Sequence, residues 1–280
     1  MIIWLASYPK SGNTWVRSMI ASLLYTTDGK FNFNVLQKIS QFPEKNYLKD
    51  FVKNFNDFNK IKENWLIAQE KINLSNQIKL FKTHQGKYTV GNDNFTDSKN
   101  TLGVIYIVRD PRNVIGSISN HFSIDIKSSA KFMLLPKIIG NGKNYEEEKG
   151  GIYCLLGKWN DHYRSWTREK RNLLLIRYED LINDAEKELQ RIILFLEKYL
   201  KFETNEKKNK NIIETTNFKN LQKMESEDGF KESVKNKYTS SKVNFFHLGP
   251  ENKWKNNIDK ETISLIENSF KSEMKELNYL

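Results

Sequence analysis

The sequence predicts a three-layer α/β fold with a central, mostly parallel sheet flanked by helices. Three observations carry that expectation. Four short runs rich in apolar residues recur along the chain, at Ile2–Ala6, Ile78–Thr83, Leu102–Val108 and Leu173–Arg177, as strands buried on both faces do. Segments with helical spacing of apolar residues lie between them. Each run stops at a polar or Pro/Gly-containing turn. In open α/β sheets, ligands bind beyond such strand ends.

Taken in order, Ile2 to Ala6 reads as a buried strand and Thr14 to Tyr25 as a helix, with Trp15, Val16, Met19, Ile20, Leu23 and Leu24 at helical spacing. Asp28 to about Trp65 is polar with interspersed aromatics and reads as helical or irregular cover rather than sheet. Leu102–Val108 is the best strand, and Asp110-Pro111 opens a helix with proline in its first turn. Ser123 to Gly150 has weak periodicity and reads as a loop region. Gly151 to Trp166 reads as an amphipathic helix, and Ala185 to Leu200 as a strong one. Lys207 to Gly249 is polar without a long apolar run, and Asp259 to Leu277 closes the chain as a helix.

A chain of 280 residues with 38% hydrophobic and 12% aromatic residues can bury a real core, which excludes wholesale disorder. It is read as a single domain over 1–280. The net charge of +11 suits anionic partners, although an ordinary solvated lysine surface accounts for it equally well. Cys154 is the one cysteine, so an intramolecular disulfide and a Cys-based zinc site are excluded, and a buried structural thiol is expected. The apolar start, Met1 to Ala6, is too short for a signal core or a membrane span. A cytoplasmic protein without stable membrane insertion is therefore expected.

The turn after the first strand carries chemistry. Gly12 allows a sharp bend that gathers backbone N–H groups, and the following helix adds partial positive charge. Lys10, Ser11, Asn13 and Thr14 add donors, and Trp15 can offer a flat face to a purine. The loop is P-loop-like without being a standard P-loop. Lys10 precedes the lone glycine and no first glycine lies upstream, so a metal-free nucleotide site is the simpler reading. The plain alternative is a strand–helix turn capped by Ser11 or Asn13.

The whole string Tyr8-Pro9-Lys10-Ser11-Gly12-Asn13-Thr14-Trp15 resembles the 5′-phosphosulfate loop of the PAPS-dependent, cytosolic-type sulfotransferases. The resemblance implies that Lys10, Ser11, Gly12, Asn13, Thr14 and Trp15 hold PAPS, with Lys10 on the bridging oxygen. It also implies that Arg109, at a strand end, and Ser117, eight residues on, bind the 3′-phosphate. On residue type alone, Arg109 could equally pair with Asp110 or Glu179. Arg177-Tyr178-Glu179-Asp180 is similar to the family segment whose tyrosine lies near adenine, and Thr215-Thr216-Asn217-Phe218 to one that puts Thr216 and Phe218 at the base. The family's C-terminal signature is Arg-Lys-Gly, two residues, then Gly-Asp-Trp. Here His247 and Leu248 stand at the cationic positions, Gly249 and Trp254 keep the spacing, and Asn252 replaces the second glycine.

Phe81-Lys82-Thr83-His84 resembles the family segment whose histidine is the catalytic base and whose lysine touches the sulfonate. Of the four histidines, His84, His121, His162 and His247, only His84 directly follows a strand at the expected sheet edge. The family commonly has a proline two residues on; Gln85-Gly86 stands here. The expected reaction is in-line transfer of sulfonate from PAPS to a hydroxyl (or amine) of an acceptor, leaving PAP and needing no metal. His84 takes the proton, and Lys10 and Lys82 stabilise developing charge. The alternatives are a P-loop nucleotide kinase or NTPase, and a non-catalytic anion- or nucleic-acid-binding module. A small-molecule or glycan/lipid acceptor is expected rather than nucleic acid. The aromatics from Phe31 to Phe58 and the stretch Phe132 to Leu135 are expected to build its pocket.

Overall fold

The computed structural model describes residues 1–140, 152–236 and 238–280. Strands β1 (Ile2–Ser7), β2 (Lys79–Thr83), β3 (Thr101–Val108) and β4 (Leu173–Arg177) form one four-stranded sheet in the order β2-β1-β3-β4. β1 runs parallel to both β2 and β3, pairing Ile3 with Leu80 and with Gly103. Parallel neighbours require crossovers, which helical segments supply. All six residues of β1 are buried, which explains its apolar run. The expected α/β architecture, a parallel sheet flanked by helices, is what the chain adopts.

The chain divides into two compact units. The first comprises Met1–Tyr8, Ile39–Ile107 and Pro136–Leu175 and holds the sheet, apart from the last residue of β3 and the last two of β4. Trp4 organises its core, with ring centroids 5.3 Å from Phe95, 5.8 Å from Phe42 and 6.1 Å from both Phe81 and Trp166. Its indole N–H is satisfied by Thr101 Oγ1 at 2.9 Å. Phe42 is 0% exposed, so this part of the aromatic stretch packs the core and offers an acceptor no surface.

One sequence expectation, the helix over Gly151 to Trp166, is corrected in this unit. Cys154–Gly157 is a strand paired antiparallel with Lys137–Ile139, and the helix starts only at Trp159, running to Thr167. Helical spacing was overridden there by an available pairing edge. Gly151 itself lies outside the described residues. Cys154 is buried, as expected, and burial pushes its thiol pKa up.

The second unit comprises Pro9–Lys38, Val108–Leu135 and Ile176–Leu280. It is mostly helical. The helix Pro111–Phe122 opens as expected, with Asp110 accepting the Arg112 N–H at 2.9 Å and proline in the first turn. Ile126–Leu134 is a helix where a loop was expected: Asp125 caps it through the Ser128 N–H, and Ala130 and Met133 are buried. The part of that expected loop from 141 to 150 lies outside the described residues. The polar stretch after Lys207 contains two helices, Glu206–Thr216 and Phe218–Asp228, capped by Asn205 and Asn217. The helix from Ala185 ends at Leu196, and the closing helix is broken at Phe270 into Lys260–Ser269 and Lys271–Glu276. Phe31, Leu36, Leu221 and Phe246 form a buried cluster in this unit, against which Trp15 and Phe218 pack. Among the described residues no helix is long and apolar enough to cross a membrane.

Candidate active site

The motif loop lies at the start of the second unit. Lys10 and Gly12 both have left-handed backbone, at φ 66 and φ 99, which turns neighbouring N–H groups toward one side. Gly12 sits at the cap position of the helix Asn13–Tyr25 with no side-chain cap, and neither Ser11 Oγ nor Asn13 Oδ1 accepts a hydrogen bond from the turn among the described residues. The Trp15 N–H turns back to Gly12 O at 3.1 Å, and the positive end of the helix lies at the loop, where it favours an anion. Ser11 Oγ is buried and has no hydrogen-bond partner among the described residues. Lys10 Nζ rests 3.7 Å from the centroid of the Phe245 ring, a cation–π contact. A Cβ on Gly12 would lie 2.4 Å from Tyr178 Cδ2, so this close approach requires glycine.

Arg109 is 5% exposed, and its direct hydrogen bonds are to neutral groups. Nη2 donates to Gly249 O at 2.9 Å and Nη1 to Ser117 Oγ at 3.3 Å. The guanidinium carbon lies 4.2 Å from the centroid of the Tyr178 ring. Nε is buried without a partner among the described residues. The expected competing carboxylates are engaged elsewhere. Asp110 pairs with Arg112 at 2.7 Å, and Glu179 accepts the Asp110 N–H at 3.0 Å and the Tyr279 O–H at 2.8 Å. Arg109 therefore has no direct carboxylate contact, although Glu179 lies within its electrostatic reach, and its buried Nε–H remains available to an anionic ligand.

The other expected nucleotide residues fall unevenly around this centre. Trp15 meets Tyr178 edge-on at 5.6 Å. Phe218 lies so close to Gly249 that a Cβ there would approach its ring to 2.3 Å. Gly12, Trp15, Arg109, Ser117, Tyr178, Phe218 and Gly249 are thus brought into one chain of contacts. Thr216 is buried, and its hydroxyl donates to Ile212 O at 2.7 Å within its own helix. His247 and Leu248 are exposed, and of the three residues at the altered signature only Gly249 contacts Arg109.

Lys82 and His84 belong to the first unit. Lys82 is 6% exposed at the end of β2, and its N–H donates to Ser40 O at 2.9 Å. His84 Nδ1 lies 2.8 Å from the carbonyl of Ser7. A carbonyl only accepts, so Nδ1 carries a proton, and in the neutral form of His84 the lone pair lies on Nε2. The His84 carbonyl accepts from His162 Nε2 at 3.0 Å, while His162 Nδ1 faces the Tyr106 hydroxyl at 2.8 Å. Complete burial pushes His162 down to about 4, so it is neutral near pH 7, donating through Nε2 and accepting at Nδ1. Burial also raises Tyr106, which keeps its phenolic proton for that bond. Gln85, at the start of the segment that departs from the resembled motif, is fixed by Trp166 Nε1 on its carbonyl at 3.0 Å and by the Leu155 N–H on Oε1 at 2.7 Å. His162 was not singled out from sequence, since its contact to His84 spans 78 positions and leaves no local spacing to read.

Comparison with known proteins decides the family. The sulfotransferase domain family matches residues 2–278.

The chain belongs to the sulfotransferase family.

Among this sulfotransferase's relatives, Sulfotransferase 2A1 of Homo sapiens is 24% identical over 275 residues, covering 98% of this chain and 84% of that protein. Sulfotransferase 2A1 of Macaca fascicularis is 28% identical over 176 residues, which span 62% of this chain but only 57% of the macaque protein. The crystal structure of mouse sulfotransferase SULT7A1 complexed with PAP superposes with a TM-score of 0.61 at 19% identity, covering 98% of this chain and 84% of that one. That likeness shows the shared fold. The sulfotransferase assignment read from the motif at Tyr8 to Trp15 is borne out.

Proposed function

We propose that this sulfotransferase transfers the sulfonate of PAPS to a hydroxyl (or amine) of a small-molecule acceptor and releases PAP. The observation that carries the reading is Arg109, a buried guanidinium whose contacts are Ser117 Oγ, Gly249 O and the face of Tyr178, with Nε unpartnered among the described residues. The buried Ser11 hydroxyl and the uncapped helix start at Gly12 supply a second anion-binding group in the same unit. Two such groups suit a nucleotide with anionic substituents at both 5′ and 3′ positions. Mouse sulfotransferase SULT7A1, which shares the fold, was crystallised with PAP, and this supports the same ligand here.

In this reading Ser11, Gly12, Asn13 and Thr14 hold the 5′ end, and Arg109, Ser117 and the Gly249 backbone hold the 3′-phosphate. Trp15, Tyr178, Thr216 and Phe218 surround the base, with the backbone at His247 and Leu248 alongside. PAPS supplies the sulfonate when bound. His84 Nε2 accepts the acceptor's proton as the new S–O bond (S–N for an amine) forms and the S–O bond to the phosphate breaks. Lys10 neutralises charge on the departing phosphate, and Lys82 on the sulfonate oxygens. Positioning and electrostatics supply most of the acceleration, by analogy with phosphoryl transfer. The chain acts as one functional domain over 1–280. Relatives named 3-beta-hydroxysteroid sulfotransferase and luciferin sulfotransferase support a small organic acceptor over a glycan or a membrane lipid.

The test has two arms. PAP at about 100 times its Kd, without magnesium, should raise unfolding stability by about 2.7 kcal/mol. A response only to magnesium with ATP would identify a kinase or NTPase instead, and a response only to nucleic acid would identify a binding module. His84→Ala should lower transfer of labelled sulfonate by about 100-fold or more while PAP affinity stays within about twofold. Turnover near that of the native enzyme would remove His84 from the proton-transfer role.

A further inference from the structure

Ser117 is held in a way that the family motif does not explain. A hydroxyl has one donor and two acceptor positions. Both contacts that Ser117 Oγ makes in this structure use it as acceptor: from Arg109 Nη1 at 3.3 Å and from Asn252 Nδ2 at 3.1 Å. The orientation of the Asn252 amide is settled by its second contact. Nδ2 also donates to Asn113 O at 2.7 Å, and a carbonyl only accepts.

Asn113 O is the carbonyl four residues before Ser117, to which a helical serine or threonine ordinarily turns its own hydroxyl. This chain does so repeatedly, from Ser18 to Thr14 at 2.8 Å, from Thr167 to Tyr163 at 2.8 Å and from Thr216 to Ile212 at 2.7 Å. At Ser117 that carbonyl is already shared between the helix's own N–H and Asn252 Nδ2. Asn252 is 5% exposed, and a Cβ on residue 116 would come within 2.9 Å of its Oδ1, so Gly116 leaves the space that the amide occupies. With its acceptor positions filled and its customary acceptor taken, Ser117 has only its O–H proton to offer.

We infer that Asn252 is a positioning residue for the 3′-phosphate. It makes Ser117 an obligate hydrogen-bond donor beside Arg109, and so selects nucleotides that carry a 3′-phosphate. The inference rests on the PAPS reading above. Within that reading it gives this chain a neutral substitute for the two cationic positions of the resembled signature, occupied here by His247 and Leu248. The arrangement strengthens the grip through a charge-assisted hydrogen bond without adding another buried cation.

The experiment compares affinities for PAP and for adenosine 5′-phosphate, which lacks only the 3′-phosphate, by calorimetric titration of the full chain. The native protein should prefer PAP. Asn252→Gly should lower that preference about tenfold, with affinity for adenosine 5′-phosphate little changed. Asn252→Asp, which is isosteric, should lower it at least as far, because Ser117 would donate to the new carboxylate. It carries the test if the glycine variant is unstable. Ser117→Ala added to Asn252→Gly should cost little more, since both act through one hydroxyl. A PAP preference unchanged in both variants, or an equal loss for both nucleotides, would overturn the role of Asn252. A native protein with no preference for PAP would instead overturn the PAPS reading itself.

Discussion

His162 shows how much a single side chain can settle away from any motif. It is 0% exposed and links the Tyr106 hydroxyl to the backbone carbonyl of His84, so the loop that presents His84 hangs from a buried imidazole. Tyr8 closes the same pocket edge-on, with ring centroids 5.6 Å apart. The native His162 pKa is held near 4 by desolvation, below its ordinary 6.5, so the unfolded chain binds the extra proton between those values. Stability from this group is therefore complete above pH 6.5 and is lost as the pH falls toward 4, by about 3 kcal/mol in all. His162→Gln can donate to the His84 carbonyl and accept from Tyr106 but cannot titrate. Its stability should decline less steeply across that window, measured by denaturant unfolding at several pH values. Parallel curves for the two proteins would mean that His162 is not the titrating group. Asn252 is the same kind of residue, because its importance lies in Ser117 and Asn113, 135 and 139 positions away in the chain. Such residues are invisible to spacing rules, whereas Ser11, Gly12 and Arg109 announce themselves beside a strand end.

At the scale of elements, the turn from Lys10 to Asn13 concentrates the constraint. Gly12→Ala puts a methyl group into the Tyr178 ring from a left-handed backbone position. The backbone alone should cost about 1–2 kcal/mol. Tyr178 also packs on Arg109 and Trp15, so the displacement passes to the anion site and PAP affinity should fall along with stability. Adding Tyr178→Leu should recover part of the stability lost in Gly12→Ala, as a double-mutant cycle would read. Additive losses would show that the contact is not the cause. The strands of the sheet were legible to within about a residue or two, because burial on both faces leaves an unbroken apolar run. The helix Ile126–Leu134 was not, since it buries only Ser129, Ala130 and Met133 and has little periodicity to display. The strand Cys154–Gly157 was read as helix because its reason for existing is a pairing partner at Lys137–Ile139. The site followed the same division. The loop from Lys10 to Trp15 was readable as one string, while it takes the fold to show that Asp110 and Glu179 hydrogen-bond to other groups and that Arg109 Nε is buried without a hydrogen-bond partner among the described residues.

At the scale of the molecule, the proposed nucleotide residues belong to the second unit and Lys82 and His84 to the first. Reading the chain as one domain over 1–280 makes a claim about cooperativity, which Cys154 can measure. It is the chain's one cysteine, it lies buried in the first unit, and burial raises its thiol pKa. A thiolate must form and be reached before a disulfide reagent can attack, so labelling waits for an opening event. When opening and reclosing are fast, the labelling rate tracks the open population. PAP at about 100 times its Kd should then slow labelling about 100-fold if the whole chain opens as one. An unchanged rate would mean that the first unit opens on its own schedule. The lone thiol is a stopwatch already wound into the fold, started by opening in one unit and read against a ligand proposed for the other.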